Sequence, residues 1–306
     1  MTFEEPIYRP PWEAASVLLP LTQSCNWNRC KFCYRSKDYK FVVAPAEVFE
    51  CELKAQLPYY PPDARVFFVG SNNFALPTDK LLIYLDIVNR YMPEHDRISM
   101  FSRVDAIARK TDEQLRELAE HGCAHLYVGT ESGSDEALDL MDKGHKAEEA
   151  VKQLRRLDEA GITYTVFYIL GLGGKGTAEK SAEKTAALFN QVHPTQIVTT
   201  GMTVTEGTGA WDMRENGEYI QASEREMIEE LRTFLQNLRI GAVYDGTHAL
   251  NPVHYRFDTG NPEQKRQVLA DLERILSTYT DEQLEEAIRR SELEESCKPV
   301  HLQKTS

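Results

Sequence analysis

The chain has 306 residues, 42% hydrophobic and 27% charged, which is enough apolar material for a full core and unlike a disordered chain. Lys and Arg number 35 against 48 Asp and Glu, a formal charge of −13 that disfavours a broad phosphate-binding surface and with it a large nucleic-acid substrate. The chain begins MTFEEPIYRPPWE, acidic and without an apolar centre, and nowhere do about eighteen apolar residues run together, so neither a signal peptide nor a membrane span is expected. A cytoplasmic location follows as the expectation, and clustered cysteines there read as metal binding rather than as disulfides.

Ser16 to Leu21 is a short apolar run of strand length that enters the segment Ser24-Cys25-Asn26-Trp27-Asn28-Arg29-Cys30-Lys31-Phe32-Cys33. A helix over Ala44 to Tyr59 stops at Pro61-Pro62. A second strand, Arg65 to Val69, ends at Gly70-Ser71-Asn72-Asn73, and Thr78 opens a helix to Tyr91. Ile98 to Phe101 is the third strand, and Thr111-Asp112-Glu113 caps a helix to Glu120 with Gly122 beyond it. Leu126 to Gly129 is the fourth strand, followed by helices over Ser134 to Met141 and Ala147 to Ala160. Thr163 to Leu170 is the fifth strand and ends in Gly171-Leu172-Gly173-Gly174. A helix over Ala178 to Gln191 leads to the sixth strand, Gln196 to Val204.

Six alternations of strand and helix with short connections predict an α/β fold with a parallel sheet, a partial (β/α)6 TIM-like barrel. The polar and glycine-rich segments fall at the C-terminal ends of the strands, where such barrels build their active sites. After about Trp211 the pattern changes to amphipathic helices, Gln221 to Leu238, Pro262 to Thr278 and Asp281 to Glu295, with a frayed tail over His301 to Ser306. The expected division is therefore a barrel domain over 1–215 and a helical C-terminal extension over 216–306. Between the first two late helices, Tyr244 to Arg256 is dense in polar and aromatic groups. It reads either as a surface loop or as a segment that covers the open side of the barrel.

Cys25, Cys30 and Cys33 are separated by four residues and then two, while Cys51, Cys123 and Cys297 are scattered. Three thiolates on one loop can hold three corners of an iron–sulfur cubane and leave one iron open for a ligand. A zinc knuckle is the alternative, but it usually completes its set with a nearby Cys or His pair, and the nearest histidine is His95. The segment resembles the cluster loop of the radical S-adenosylmethionine (SAM) superfamily, with a longer first spacing than the usual three residues. The resemblance extends over about residues 8 to 215. It implies a [4Fe-4S] cluster on Cys25, Cys30 and Cys33, with SAM on the fourth iron, cleaved reductively to a 5′-deoxyadenosyl radical.

The same resemblance assigns further positions. Phe32 would pack near the adenine, and Gly70-Ser71-Asn72 would stand where a Gly-Gly-Glu-like turn holds the amino group of SAM. Ser102 and Arg103 end the third strand. Val128 to Ser134 is similar to the fourth-strand segment of anaerobic coproporphyrinogen oxidases and methylthiotransferases, in which Glu131 would contact the SAM ribose. The bland reading of Glu131 is an ordinary acid at the start of a helix. Arg155 or Arg156 would meet the SAM carboxylate, since a guanidinium suits bidentate pairing, and Ile169 with Gly171 would back the adenine. Thr205-Glu206-Gly207-Thr208 takes the place of a Pro-Gly-Thr turn. Tyr34 and Arg35, with His248 and His254 from the late segment, are left as candidates to act on substrate. The family implies an external one-electron donor such as flavodoxin or ferredoxin, and the charge balance favours a small-molecule substrate over nucleic acid. An iron–sulfur electron carrier or redox sensor and a zinc-knuckle binding module are the readings from other classes.

Overall fold

The computed structural model describes residues 5–35 and 37–288. Cys297, the end of the helix expected to reach Glu295 and the tail from His301 lie outside the described residues. In chain order the elements are β1 (Val17–Pro20), β2 (Thr22–Gln23), β3 (Val42–Val43), α1 (Ala46–Gln56), β4 (Val66–Val69) and α2 (Thr78–Tyr91). Then come β5 (Ile98–Arg103), α3 (Val104–Ala108), α4 (Asp112–Glu120), β6 (Cys123–Glu131), α5 (Asp135–Leu140), α6 (Ala147–Ala160) and β7 (Thr163–Leu170). The chain continues through α7 (Ala178–Phe189), β8 (Gln196–Gly201), α8 (Gly209–Glu215), α9 (Glu224–Asn237), β9 (Val243–Asp245), β10 (Arg256–Asp258), α10 (Pro262–Thr278) and α11 (Asp281–Ile288).

The main sheet has the order β1-β4-β5-β6-β7-β8-β9-β10 and does not close on itself. Strand β4 is parallel to β1 and to β5, β5 is parallel to β6, and β9 is parallel to β8; β10 turns back antiparallel to β9. All six expected strands are present. Two pairings were not anticipated. Thr22 and Gln23 pair with Val43 and Val42, and β9 with β10 extends the sheet from within the segment read as a loop. Strands this short carry too few residues for alternation to register.

The chain divides into two compact units. The first comprises Met1–Asn28, Ser36–Gly129 and Gln153–Thr165. All four β4 side chains are buried, as a strand covered on both faces requires. Phe49 of α1 meets Phe68 of β4 and Tyr84 of α2 edge-on at 5.2 and 5.0 Å. The predicted start of α4 is a full capping box: Gln114 N–H donates to Thr111 Oγ1 and Thr111 N–H to Gln114 Oε1. Ahead of β1, the fully buried Glu13 accepts from the hydroxyls of Ser16, Ser99 and Tyr127, and Trp12 Nε1 donates to the Tyr127 hydroxyl at 2.8 Å. A carboxylate is tolerated there because three hydroxyls donate to it and the Arg97 guanidinium lies 3.8 Å away. His125 of β6 is set between the Thr163 and Thr165 hydroxyls, and burial pushes its proton affinity down to a pKa of about 3.

The second unit comprises Arg29–Arg35, Thr130–Lys152 and Val166–Ser306. Helix α9, started by a Ser223–Glu226 capping box, packs on α7. Phe234 of α9 meets Tyr168 and Phe189 edge-on at 5.1 and 5.9 Å. Glu230 from the same helix accepts from the Tyr168 hydroxyl at 2.5 Å and from Gly171 N–H at 2.8 Å, and burial raises its pKa to about 7. Among the described residues after 216, the helices α9, α10 and α11 are accompanied by the strands β9 and β10.

Candidate active site

Within the first unit, the end of β1 turns into the cysteine loop through Ser24, held at φ +65°, a conformation most residues avoid. Ser24 N–H donates to the Glu5 carboxylate, whose other oxygen receives the Ser71 hydroxyl at 3.5 Å. Gly70, at φ +146°, lets the chain pass close to β2. A Cβ there would lie 2.1 Å from Thr22 Oγ1 and 2.2 Å from Asn73 Oδ1, so only glycine fits. Asn72 is fully buried: its amide donates to Asn26 Oδ1 at 2.7 Å and its oxygen accepts Arg103 N–H at 3.0 Å. Arg103 stacks on the Trp27 ring at 4.8 Å and pairs with Asp105 at 2.7 Å, and the Ser102 hydroxyl donates to the Arg103 carbonyl. Strand-end residues 70–72 and 102–103 thus converge on Asn26 and Trp27, flanking Cys25.

Within the second unit, the rest of the loop is fastened by α5. Residues after α5 form a Schellman turn, with Asp142 at φ +49°, Lys143 N–H bonded to Leu138 O and Asp142 N–H to Asp139 O. That turn sends out three contacts. Met141 O accepts Lys31 N–H at 2.9 Å, and the Asp142 carboxylate pairs with Arg29 at 3.0 Å. Lys143 folds back so that Nζ donates to Glu131 Oε1 at 2.9 Å, with both side chains buried. Glu131 itself sits at φ +65° at the end of β6, a strained setting for a carboxylate and one typical of functional positions. Lys31 O accepts Ala210 N–H at the start of α8, and a Cβ on Gly209 would press on the Lys31 side chain at 3.1 Å.

Phe32 and Ile169 meet in one apolar cluster with Met141, Leu172, Met202 and Val204. Gly171 ends β7 at φ +77°, its N–H held by Glu230 and its carbonyl by the Tyr219 hydroxyl at 2.9 Å. In the late segment, Gly246 N–H donates to Tyr255 O and Asn251 N–H to His248 O, while the buried Asn251 amide reaches Thr199 O at 2.7 Å and Gly246 O at 2.9 Å. Tyr255 is engaged by Asp271 of α10 and Arg256 by Asp245, which leaves His248 and His254 turned to solvent. The protein around His248, then the charge of Arg35 and then His254, lower its proton affinity, although the ring keeps accessible surface. Tyr34 and Arg35 are half-buried.

Arg155 and Arg156, of which one was expected to meet SAM, differ in their surroundings. Arg156 is spent on the α3–α4 turn, with Nε on Asp112 at 2.6 Å, Nη1 on Gln153 at 2.5 Å and Nη2 on Lys110 O, and Arg155 is exposed. Helical spacing alone could not choose between their partners. Lys143, Asn26, Trp27 and Glu5 were not foreseen; their roles depend on turns that bring distant positions together and leave no periodic trace.

Cys25, Cys30 and Cys33 form no disulfide, Cys30 being buried and the others half-buried; Cys51 and Cys123 form none either. Among the described residues no three His, Cys, Asp or Glu side chains form a ready-made metal cage, as is common where the metal itself organises its ligands. A sulfur-only donor set on one loop nonetheless suits an iron–sulfur cluster, and the half-exposed Cys25 and Cys33 give it access. No helix among the described residues is long and apolar enough to cross a membrane.

The family model of the radical SAM superfamily matches residues 19–189. An uncharacterised protein of Methanocaldococcus jannaschii is 26% identical over 173 residues, which cover 56% of this chain and 52% of that protein. A tRNA-2-methylthio-N(6)-dimethylallyladenosine synthase of Chlorobium luteolum is 27% identical over 177 residues, covering 52% of this chain and 36% of that one. The chain thus spans about half the first relative and about a third of the second. Among solved structures, coproporphyrinogen III oxidase from Escherichia coli, a radical SAM enzyme, superposes with a TM-score of 0.53 at 15% identity, covering 73% of this chain and 53% of that one. That likeness extends to the fold alone.

Proposed function

The chain belongs to the radical SAM superfamily, whose enzymes use a [4Fe-4S] cluster and SAM, and on that premise we propose that it acts by radical chemistry on a small-molecule substrate. The observation that carries the reading is the trio of cysteines outside any disulfide, Cys25, Cys30 and Cys33, on the loop after β1, inside the matched region. When bound, the cluster and SAM supply a 5′-deoxyadenosyl radical able to take a hydrogen atom from, or add to, a substrate. The protein orients and shields the reacting atoms.

In this reading the three cysteines hold the cluster. Glu131, fixed by Lys143, accepts from the ribose hydroxyls, and Phe32 with Ile169 flanks the adenine and excludes water. The Gly70-Ser71 backbone receives the amino group of SAM, while the Asn72 side chain, already committed to Asn26 and Arg103, steadies the loop. Neither Arg155 nor Arg156 is retained as a SAM ligand, for the reasons of placement given above. Residues 1–215 carry the cofactors, and the segment Tyr244 to Arg256 covers the substrate. The charge of −13 supports a small molecule rather than RNA as substrate, and an external donor of the flavodoxin or ferredoxin kind would deliver the electron.

Anaerobic reconstitution with iron and sulfide tests this directly. The expected product is a brown protein that binds SAM and releases 5′-deoxyadenosine on reduction. A colourless protein holding one zinc would instead support the zinc-knuckle reading, and a cluster protein with no affinity for SAM the electron-carrier reading.

A further inference from the structure

We propose that Glu230 and Tyr219 are positioning residues for SAM: from beyond residue 216 they fix the end of β7, where Ile169 flanks the adenine. This rests on the radical SAM reading above and extends the SAM site into the helical region.

The grip of Glu230 is direct and lies within the second unit. Alternation along β7 turns Ile169 towards the apolar cluster that includes Phe32 and turns Tyr168 towards the helices, where Phe234 of α9 meets its ring. Glu230 Oε1 accepts the Tyr168 hydroxyl at 2.5 Å, and Oε2 accepts Gly171 N–H at 2.8 Å. One carboxylate thus holds the strand on both sides of Ile169.

The strand end relies on that hold. Leu170 O still receives Met202 N–H at 2.8 Å, but at Gly171, with φ +77°, the chain leaves the sheet and its N–H goes to Glu230 instead. The Gly171 carbonyl accepts the Tyr219 hydroxyl at 2.9 Å, alongside Gly174 N–H at 3.0 Å. Both backbone polar groups of Gly171 are therefore met by side chains from beyond residue 216. A Cβ on Gly171 would lie 3.0 Å from Met227 Cγ and 3.2 Å from Ala222 Cβ, so α9 and the segment before it come right up to this backbone.

Packing of α9 does not by itself call for an acid here. Glu230 is 1% exposed, and an apolar side chain would fill the same volume without desolvating a charge. What the carboxylate adds is two acceptors, and both are spent on β7. A shift of the β7 end would carry Ile169 and Leu172 with it, and small displacements of supporting groups are costly at a binding site.

The test uses the full chain reconstituted with iron and sulfide, with SAM as the probe. Calorimetry gives the SAM affinity, and 5′-deoxyadenosine released on reduction gives kcat and KM. Glu230→Leu removes both acceptors, and Tyr219→Phe removes the hydroxyl that meets Gly171 O while keeping the ring in its cluster. Each is expected to raise Kd and KM for SAM about tenfold, with kcat within about twofold of wild type. Glu230→Gln keeps an oxygen for Gly171 N–H and is expected to stay within about threefold of wild type. A merely structural role would instead lower kcat through the folded fraction and leave KM unchanged. That pattern, wild-type SAM affinity in the Leu or Phe variant with its iron in place, or a Gln variant as weak as the Leu one, overturns the proposal while leaving the radical SAM reading intact. Should Glu230→Leu take up no iron, Tyr219→Phe decides by the same criteria. Wild-type protein that takes up no cluster or no SAM overturns both.

Discussion

At the scale of single residues, the Glu131–Lys143 pair is the most consequential feature. Two opposite charges are buried together, and removal of Lys143 takes the ion-pair partner from a buried carboxylate at a cost of about 3–5 kcal/mol. Lys143→Ala is expected to lower stability by that order in urea unfolding. Glu131→Gln is expected to weaken SAM binding about tenfold to a hundredfold by calorimetry while iron content holds. Unchanged SAM affinity would leave Glu131 only its pairing with Lys143. Cys25→Ala, Cys30→Ala and Cys33→Ala should each abolish cluster uptake by iron and sulfide analysis, whereas Cys51→Ala should leave it unchanged. Iron retained in Cys25→Ala but lost from Cys51→Ala would show the loop to be misassigned. The cysteines were legible because their spacing alone implies a chemistry. Lys143 was not, since nothing local distinguishes it from the chain's other lysines until a Schellman turn folds it back.

At the scale of elements, the turn after β4 carries the sharpest expectation. Gly70→Ala forces a methyl group against Thr22 and Asn73 in a backbone conformation that suits glycine, and should cost at least about 2 kcal/mol. A melting temperature within a degree of wild type would contradict that placement. Longer elements were readable in the sequence because caps and periodicity agree: Thr111 and Gln114 mark the start of α4, and the unbroken apolar run of β4 fits a strand covered on both faces. The pairs β2–β3 and β9–β10 were missed because two or three residues hold no period, and what fixes them is hydrogen bonding to strands elsewhere. The reach of the cysteine loop to α5 and α8 was equally hidden, since Lys31 makes it through its backbone.

For the whole molecule, two buried groups oppose each other in the response to pH. Glu230, raised from 4.5 to about 7, binds its proton more tightly when folded, so its contribution is complete below pH 4.5 and is lost as pH rises through 7. His125, lowered from 6.5 to about 3, is neutral when folded, so its contribution is complete above pH 6.5 and is lost as pH falls towards 3. Between pH 4.5 and 6.5 the two slopes cancel. Glu230→Gln keeps an oxygen for Gly171 N–H and can donate to the Tyr168 oxygen, so it should fold and unmask the histidine. Relative to wild type, its stability should climb by about 1.4 kcal/mol for each pH unit across that window; parallel profiles would refute the assignment. The closure of Gly246 on Tyr255 has a different kind of consequence. Because the two ends of the segment meet, the residues on either side of Asn251 can change with little effect on β9 or β10 as long as Asn251 keeps its bonds to Thr199 and Gly246. Selection can therefore rewrite this one insert while Glu131, Phe32 and the cysteines stay untouched.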